Sequence, residues 1–310
     1  MKQKFNRMPV MVYRSCKVMC LAGTLLLLGL FSSCSDKEEI SSLRTGTFVD
    51  VTMKVASFDQ IPFDVAQNGT KAAVSPDGIC SRISFAVYSG QGSNMTKKQV
   101  NQEAGSDGFG TASFRLEEGT YKVVVLAHSG DGNPTMTDPS KITFNNKNGL
   151  KVTDTFLYCE DVEISAQNHD IDLELERVVA KFQLHLEDES LPQELSQLKF
   201  EYSGGSSTLD AITGQGCVNS KQTETIDCTD GGNDYEVYTF VRSDSESLKI
   251  KVSALDSSGE VLKEQEFQDV PVTNNYITRY SGEMFSRAIL NSAFSVVIDD
   301  VWGGTKDYSF

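Results

Sequence analysis

Seven cysteines and three histidines are the side chains of this 310-residue chain best suited to nucleophilic or metal chemistry. His128, His169 and His185 stand far apart on different predicted elements. No HExxH, CxxC or His-x-His spacing gathers donors for a zinc ion. A GxSxG elbow, a phosphate loop and a dinucleotide fingerprint are all missing from the sequence. Asp299 and Asp300 are neighbours on a predicted strand, where successive side chains point to opposite faces, so the two cannot flank one scissile bond. The run Asp230-Gly231-Gly232-Asn233-Asp234 has oxygens for calcium but lacks the alternating ligands of an EF-hand loop, and it reads as a turn. Trp302, the single tryptophan, could stack on a sugar, but core packing is the better use for it. These residues predict no catalytic centre, no metal and no cofactor.

The cysteine with a distinctive setting is Cys34. Lys2, Lys4, Arg7, Arg14 and Lys17 precede an apolar run from Val18 to Phe31, and no acid occurs before Asp36. That run falls short of the roughly 20 apolar residues a bilayer-spanning helix needs, so residues 1–33 read as a signal peptide. Leu30-Phe31-Ser32-Ser33-Cys34 follows. Small residues before a thiol suit cleavage between Ser33 and Cys34 and attachment of diacylglycerol to the Cys34 sulfur. The segment resembles a bacterial lipobox, with Phe31 where an aliphatic residue is usual. Ser35-Asp36-Lys37-Glu38-Glu39 is similar to the surface-export signal of Bacteroidota lipoproteins. Residues 34–46 then form a lipidated tether, whose Ser35–Arg44 stretch reaches about 35 Å when extended. The expected place is the outer membrane, lipid-anchored and exposed at the cell surface.

Loss of the signal removes five basic residues and no acid, which takes the net charge from −15 to −20. So acidic a chain repels phosphate backbones, which excludes nucleic acid as a partner. Cys16 and Cys20 leave with the signal, and Cys80, Cys159, Cys217 and Cys228 stay beside Cys34. In an oxidising compartment the four permit two disulfides, Cys80–Cys159 and Cys217–Cys228, with buried free thiols as the alternative.

The rest of the chain reads as strands. Phe48 to Val55 alternates with period two, and Ile83 to Tyr88 is β-branched and aromatic. Ala112–Leu116 and Tyr121–His128, joined through Gly119, read as a hairpin. Further runs lie at 156–164, 171–175, 178–186, 198–202, 235–241, 248–255, 261–272, 276–284 and 294–302, separated by Gly-, Asn- and Ser-rich turns. Short helices are expected at Lys97–Ala104 and Pro192–Gln197. The fold class is all-β, with a boundary in the polar gap at Gln167–Asp170: an N-terminal sandwich over 47–168 and a C-terminal sandwich over 169–310.

Several stretches carry a family likeness. Glu118-Gly119-Thr120-Tyr121-Lys122-Val123-Val124-Val125-Leu126-Ala127-His128, Asn133-Pro134-Thr135-Met136-Thr137-Asp138, Gly204-Gly205-Ser206-Ser207-Thr208-Leu209-Asp210, Gly216-Cys217-Val218-Asn219 and Asp269-Val270-Pro271-Val272-Thr273-Asn274-Asn275-Tyr276-Ile277-Thr278 follow one another in order. Together they resemble the fimbrillin-associated anchor family, the FimB-like subunits of type V pili. The resemblance implies two tandem transthyretin-like β-sandwich domains and a lipid-anchored pilus subunit, either the anchor or an accessory piece, that contributes to adhesion.

Subunits of such pili resemble one another in joining by strand exchange, which would make a pilus shaft subunit the partner. In shaft subunits, cleavage after an arginine frees an N-terminal strand. Arg44 has that position, but cutting there would separate the body from its lipid. The candidate donor is therefore the C-terminal run, in which Phe294, Val296 and Ile298 share one face. The competing reading of that run is a strand that completes its own sandwich. A surface glycan-binding lipoprotein is the alternative function. A hydrolase on a β scaffold lacks its catalytic constellation.

Overall fold

The computed structural model describes residues 46–58, 75–145, 151–243, 247–285, 295–299 and 306–308. Among them the regular elements are strands, apart from two single 3-10 turns at Pro76–Gly78 and Gly92–Asn94. No helix of the described residues is long and apolar enough to cross a membrane.

The first half supplies β1 (Phe48–Phe58), β2 (Arg82–Ser89), β3 (Thr96–Glu103), β4 (Thr111–Glu117), β5 (Gly119–His128), β6 (Ile142–Thr143), β7 (Thr155–Ile164) and β8 (Asp170–Arg177). Strands β3-β2-β5-β7 form one antiparallel layer, and β8-β1-β4 forms the other, with β1 parallel to β8. The layers join at one corner, where Phe156 and Leu157 pair with Arg177 and Glu176. Period-two alternation turns Val51, Met53 and Val55 of β1 and Leu173 and Leu175 of β8 inward. There they meet Ile83, Phe85, Val123 and Val125 of the facing layer.

The second half supplies β9 (Ala180–Leu186), β10 (Gln197–Ser203), β11 (Thr208–Asp210), β12 (Gln215–Gly216), β13 (Gln222–Asp227), β14 (Asp234–Thr239), β15 (Ser247–Leu255), β16 (Val261–Pro271), β17 (Ile277–Gly282), β18 (Ser295–Asp299) and β19 (Lys306–Tyr308). Its layers are β13-β10-β15-β16 and β14-β9-β17-β18-β19. Phe182, Leu184, Phe200, Ile250, Val252 and Phe267 fill the space between them.

The pairing pattern repeats. β2 stands between β3 and β5, as β10 stands between β13 and β15. β1 is antiparallel to β4 and parallel to β8, and β9 is antiparallel to β14 and parallel to β17. Each half is thus a four-plus-three sandwich of one topology. The second half carries β18 and β19 in addition, at the edge of β17.

A third core fuses the halves. Ala86, Tyr88, Val124 and Leu126 on the outer face of the first four-stranded layer are buried with Val178, Val179, Leu209, Phe240 and Ile277. A small sheet, β12-β11-β6, joins an excursion of one half to an excursion of the other. Phe144 lies between the rings of His128 and Phe240, 5.5 and 5.3 Å from their centroids. Each such large apolar side chain contributes about 1.5–3 kcal/mol on burial. Arg177 adds a polar tie. It donates to both carboxylate oxygens of Asp154 at 2.7 and 2.9 Å and to Asn275 Oδ1 at 3.2 Å, and it stacks over Phe156.

Three local expectations change. Lys97–Ala104 is not helical: all but Ala104 belongs to edge strand β3, which pairs with β2 along its whole length. Pro192–Gln197 is a turn that runs into β10. The strands flanking Gly119 do not pair with each other, because β5 is enclosed by β2 and β7 while β4 takes the edge beside β1. The chain crosses between layers there instead of forming a hairpin.

Candidate functional site

Of the residues singled out by sequence, Ser33, Cys34, the tether to Arg44, Phe294 and Trp302 lie outside the described residues. Val296 and Ile298 fall in β18. That strand runs antiparallel to β17 from Ser281↔Ser295 to Ile277↔Asp299, and β19 pairs with its far side. Below this edge, Tyr280 of β17 packs on Phe267 and Phe182, with ring centroids 4.9 and 5.6 Å apart.

The chain leaves β17 through a polar clamp that sequence reading missed. Asp188, 7% exposed, accepts the backbone N–H groups of Met284 and Phe285, both at 2.7 Å. Glu187 N–H donates to Gly282 O beside it at 2.9 Å. Two charge-assisted hydrogen bonds in a buried setting fix where the C-terminal segment starts. Nothing in the sequence around Asp188 marks it out, since its partners are backbone groups 96 and 97 residues away.

The four cysteines are free thiols, which corrects the expected disulfides. Cys80 faces the first core, Cys159 the core between the halves and Cys228 the second core, while Cys217 is exposed with its thiol directed at Thr208 O, 3.7 Å away. Cys159 sits on β7 and the other three in loops next to strand ends, and each sulfur meets a different environment, so neither expected pair meets. Burial pushes the Cys80 thiol up to about 12 and the Cys159 thiol up to about 11, and both stay protonated and unreactive at neutral pH.

The histidines remain apart. His128 is buried, and desolvation pushes it down to about 4, so its ring is neutral. Its Nδ1 accepts the Gly130 N–H at 3.1 Å, and its Nε2 has no hydrogen-bond partner. His185 pairs with Asp234 at 2.9 Å, and His169 lies 3.7 Å from Asp170. Among the described residues no group of three or more His, Cys, Asp or Glu side chains could hold a metal ion. The Asp230–Asp234 run is a turn, with Gly231 at φ +68 and the Tyr235 hydroxyl donating to Gly232 O.

No curated protein sequence matches the chain. Solved structures do. A "putative cell adhesion protein" from Bacteroides ovatus ATCC 8483 aligns over 85% of this chain and 99% of its own, at 12% identity and a TM-score of 0.51, which places the two in one fold. A structure described as "putative polysaccharide binding proteins" from Bacteroides thetaiotaomicron VPI-5482 aligns over 84% of this chain and 98% of its own, at 10% identity and a TM-score of 0.47. A fimbrial assembly protein from Parabacteroides distasonis ATCC 8503 aligns over 86% and 100%, at 12% identity and a TM-score of 0.41. At the level of sequence families, one model matches residues 47–309, nearly the whole of the two sandwiches, and the chain therefore belongs to that family, the family of unknown function DUF6562.

Proposed function

We propose that this chain is a lipid-anchored fimbrial subunit, non-enzymatic, that attaches a type V pilus to the outer membrane and so contributes to adhesion. Cys34 carries the lipid, the tether spans the headgroup region, and the sandwiches stand at the cell surface. A pilus shaft subunit is the partner, joined by exchange of the C-terminal strand.

The observation that carries this reading is the position of β18. Among the described residues the first sandwich has seven strands, and the second has the same seven before β18 and β19 are added beside β17. A strand that is extra to a finished sandwich can leave it with less damage than any of the seven. With β19 it is also the strand region farthest in sequence from the lipid, so exchange there does not detach the subunit. The setting agrees with the cell adhesion description given to the solved structure of the same fold.

The test is Val296→Asp, which places a charge in the middle of β18. The expected result is a variant that melts like wild type but sheds its pili. A variant that folds and holds pili normally would overturn the proposal. Cys34→Ala, labelled with a fatty acid, checks the anchor separately: loss of label is expected.

A further inference from the structure

At one end of the second four-stranded layer, adjacent strands bring Lys221, Ser203 and Lys249 into one transverse row. Ser203 of β10 is the register partner of Lys249 on β15, and Lys221 lies one residue before Gln222, the partner of Tyr202. Neighbouring strands lie about 4.8 Å apart, so the two lysine stems start about 10 Å from each other. The alternation that sends Tyr202 and Ile250 into the core sends this row to the outer face. A cleft of about 450 Å³ opens over it, lined also by Asn219, Ser247 and Asp269.

The backbone is bent to make this cleft. Leu248 pairs with Val270 and Ile250 with Phe267, so Gln268 and Asp269 together oppose Lys249, which is a bulge. Asp269 takes φ +51, left-handed backbone that a non-glycine residue adopts only at a cost. Asp269 lines the cleft. Gly204, at φ +103, lets β10 end against β15, since a Cβ there would lie 2.3 Å from Ser247 O. Farther along the same face the charges pair off, Lys251 with Glu264 at 2.7 Å and Lys199 with Glu201 at 3.2 Å. In the cleft, Lys249 reaches Glu266 only at 3.9 Å, and the side chains of Lys221, Asn219 and Asp269 make no hydrogen bond or ion pair with any described residue.

We propose that this cleft binds an acidic sugar, a single uronic- or sialic-type residue of a glycan chain. Two ammonium groups without full counter-charges select a carboxylate in a chain whose net charge is otherwise strongly negative. Asp269, Asn219 and the serine hydroxyls suit the remaining vicinal hydroxyls. Inorganic phosphate, more negative than a carboxylate and without vicinal hydroxyls to donate to Asp269, would be repelled by Asp269, and a neutral sugar would leave the lysines without a counter-charge. The volume falls within the range of small-ligand pockets and accommodates one such unit. With no aromatic platform in the lining, binding is weak and polar.

The test uses the full chain in saturation-transfer NMR with glucuronate, glucose and inorganic phosphate as probes. Glucuronate is expected to bind at least about tenfold more tightly than glucose, the value of one charge-assisted hydrogen bond, and to weaken as salt is added. Lys221→Ala and Lys249→Ala, both exposed and read alongside a melting curve, should each weaken glucuronate about tenfold. Asp269→Asn should let phosphate compete where it does not in wild type. Equal binding of glucose and glucuronate, or glucuronate binding unchanged in both lysine variants, or phosphate displacing glucuronate from wild type, would overturn the proposal. The cleft shares no residue with the C-terminal strand, so its failure leaves the pilus reading untouched.

Discussion

On β5 every residue from Val123 to His128 is buried, whereas on β15 exposed Lys249 and half-exposed Lys251 alternate with buried Leu248, Ile250 and Val252. The two strands hold the same place in the two sandwiches. Their difference shows how one topology serves two ends. The first sandwich offers the outer face of its four-stranded layer to its sister, and that face is apolar because it becomes a second core. The second keeps its outer face in water, with paired Lys and Glu side chains and a polar cleft. The second sandwich also gains β18 and β19 beside β17, where the first closes its layers with Phe156, Leu157, Glu176 and Arg177.

The contrast can be broken most sharply by charge. Val124→Asp buries a carboxylate in the shared core with no partner, and should cost about 4 kcal/mol or more and abolish a cooperative melt. Urea unfolding followed by circular dichroism would show it. A variant as stable as wild type would mean the halves are not welded through this face.

Next in size is Arg177→Met. The guanidinium is 3% exposed and ties Asp154 in the first half to Asn275 in the second. Its removal leaves a part-buried carboxylate without its cation, at a cost of about 3–5 kcal/mol. Adding Asp154→Leu should recover much of that loss, and a double-mutant cycle measures the coupling.

His128 gives a pH test. Its folded-state value near 4 lies below the ordinary 6.5, because burial opposes the charged ring and Arg82 adds a like charge. The unfolded chain therefore takes up the proton first. Stability is fully present above about pH 6.5 and is lost as pH falls towards 4, by about 3 kcal/mol in total. Unfolding midpoints at pH 7.5, 5.5 and 4.5 should fall in that order, and His128→Phe should flatten the contribution. The smallest expected effect is Lys251→Ala, on the outer face of β15 as Val124 is on β5. It should leave the urea midpoint essentially unchanged, because an exposed Lys–Glu pair is screened by solvent.

Much of this architecture was legible in residue patterning, and its failures have physical causes. Alternation in Phe48–Val55 and Leu198–Tyr202 identified half-buried strands correctly. The run Tyr121–His128 was legible as a strand, but the sequence did not say that both its faces are buried, the second against the other half. Lys97–Glu103 looked helical because an edge strand can stay polar on both sides. Strands β6, β11 and β12 are two or three residues long, too short for any period to show. Cysteine parity suggested disulfides, while the fold places one thiol on β7 and three in separate loops, facing different surroundings. The cleft was hidden because its row of side chains comes from three strands and a bulge, and none of them is unusual alone.

The proposed joint predicts that β18 leaves β17 when a pilus is attached. Ser281 and Ser295 are register partners in the isolated chain, so Ser281→Cys with Ser295→Cys, in a Cys217→Ser background, places two thiols for a bond that locks β18 in its own sandwich. Retention of pili on cells carrying the oxidised lock is the decisive measurement. The account predicts that locked subunits fold, reach the surface and hold no pili, and that reduction restores attachment. Locked subunits that hold pili as well as wild type would contradict it.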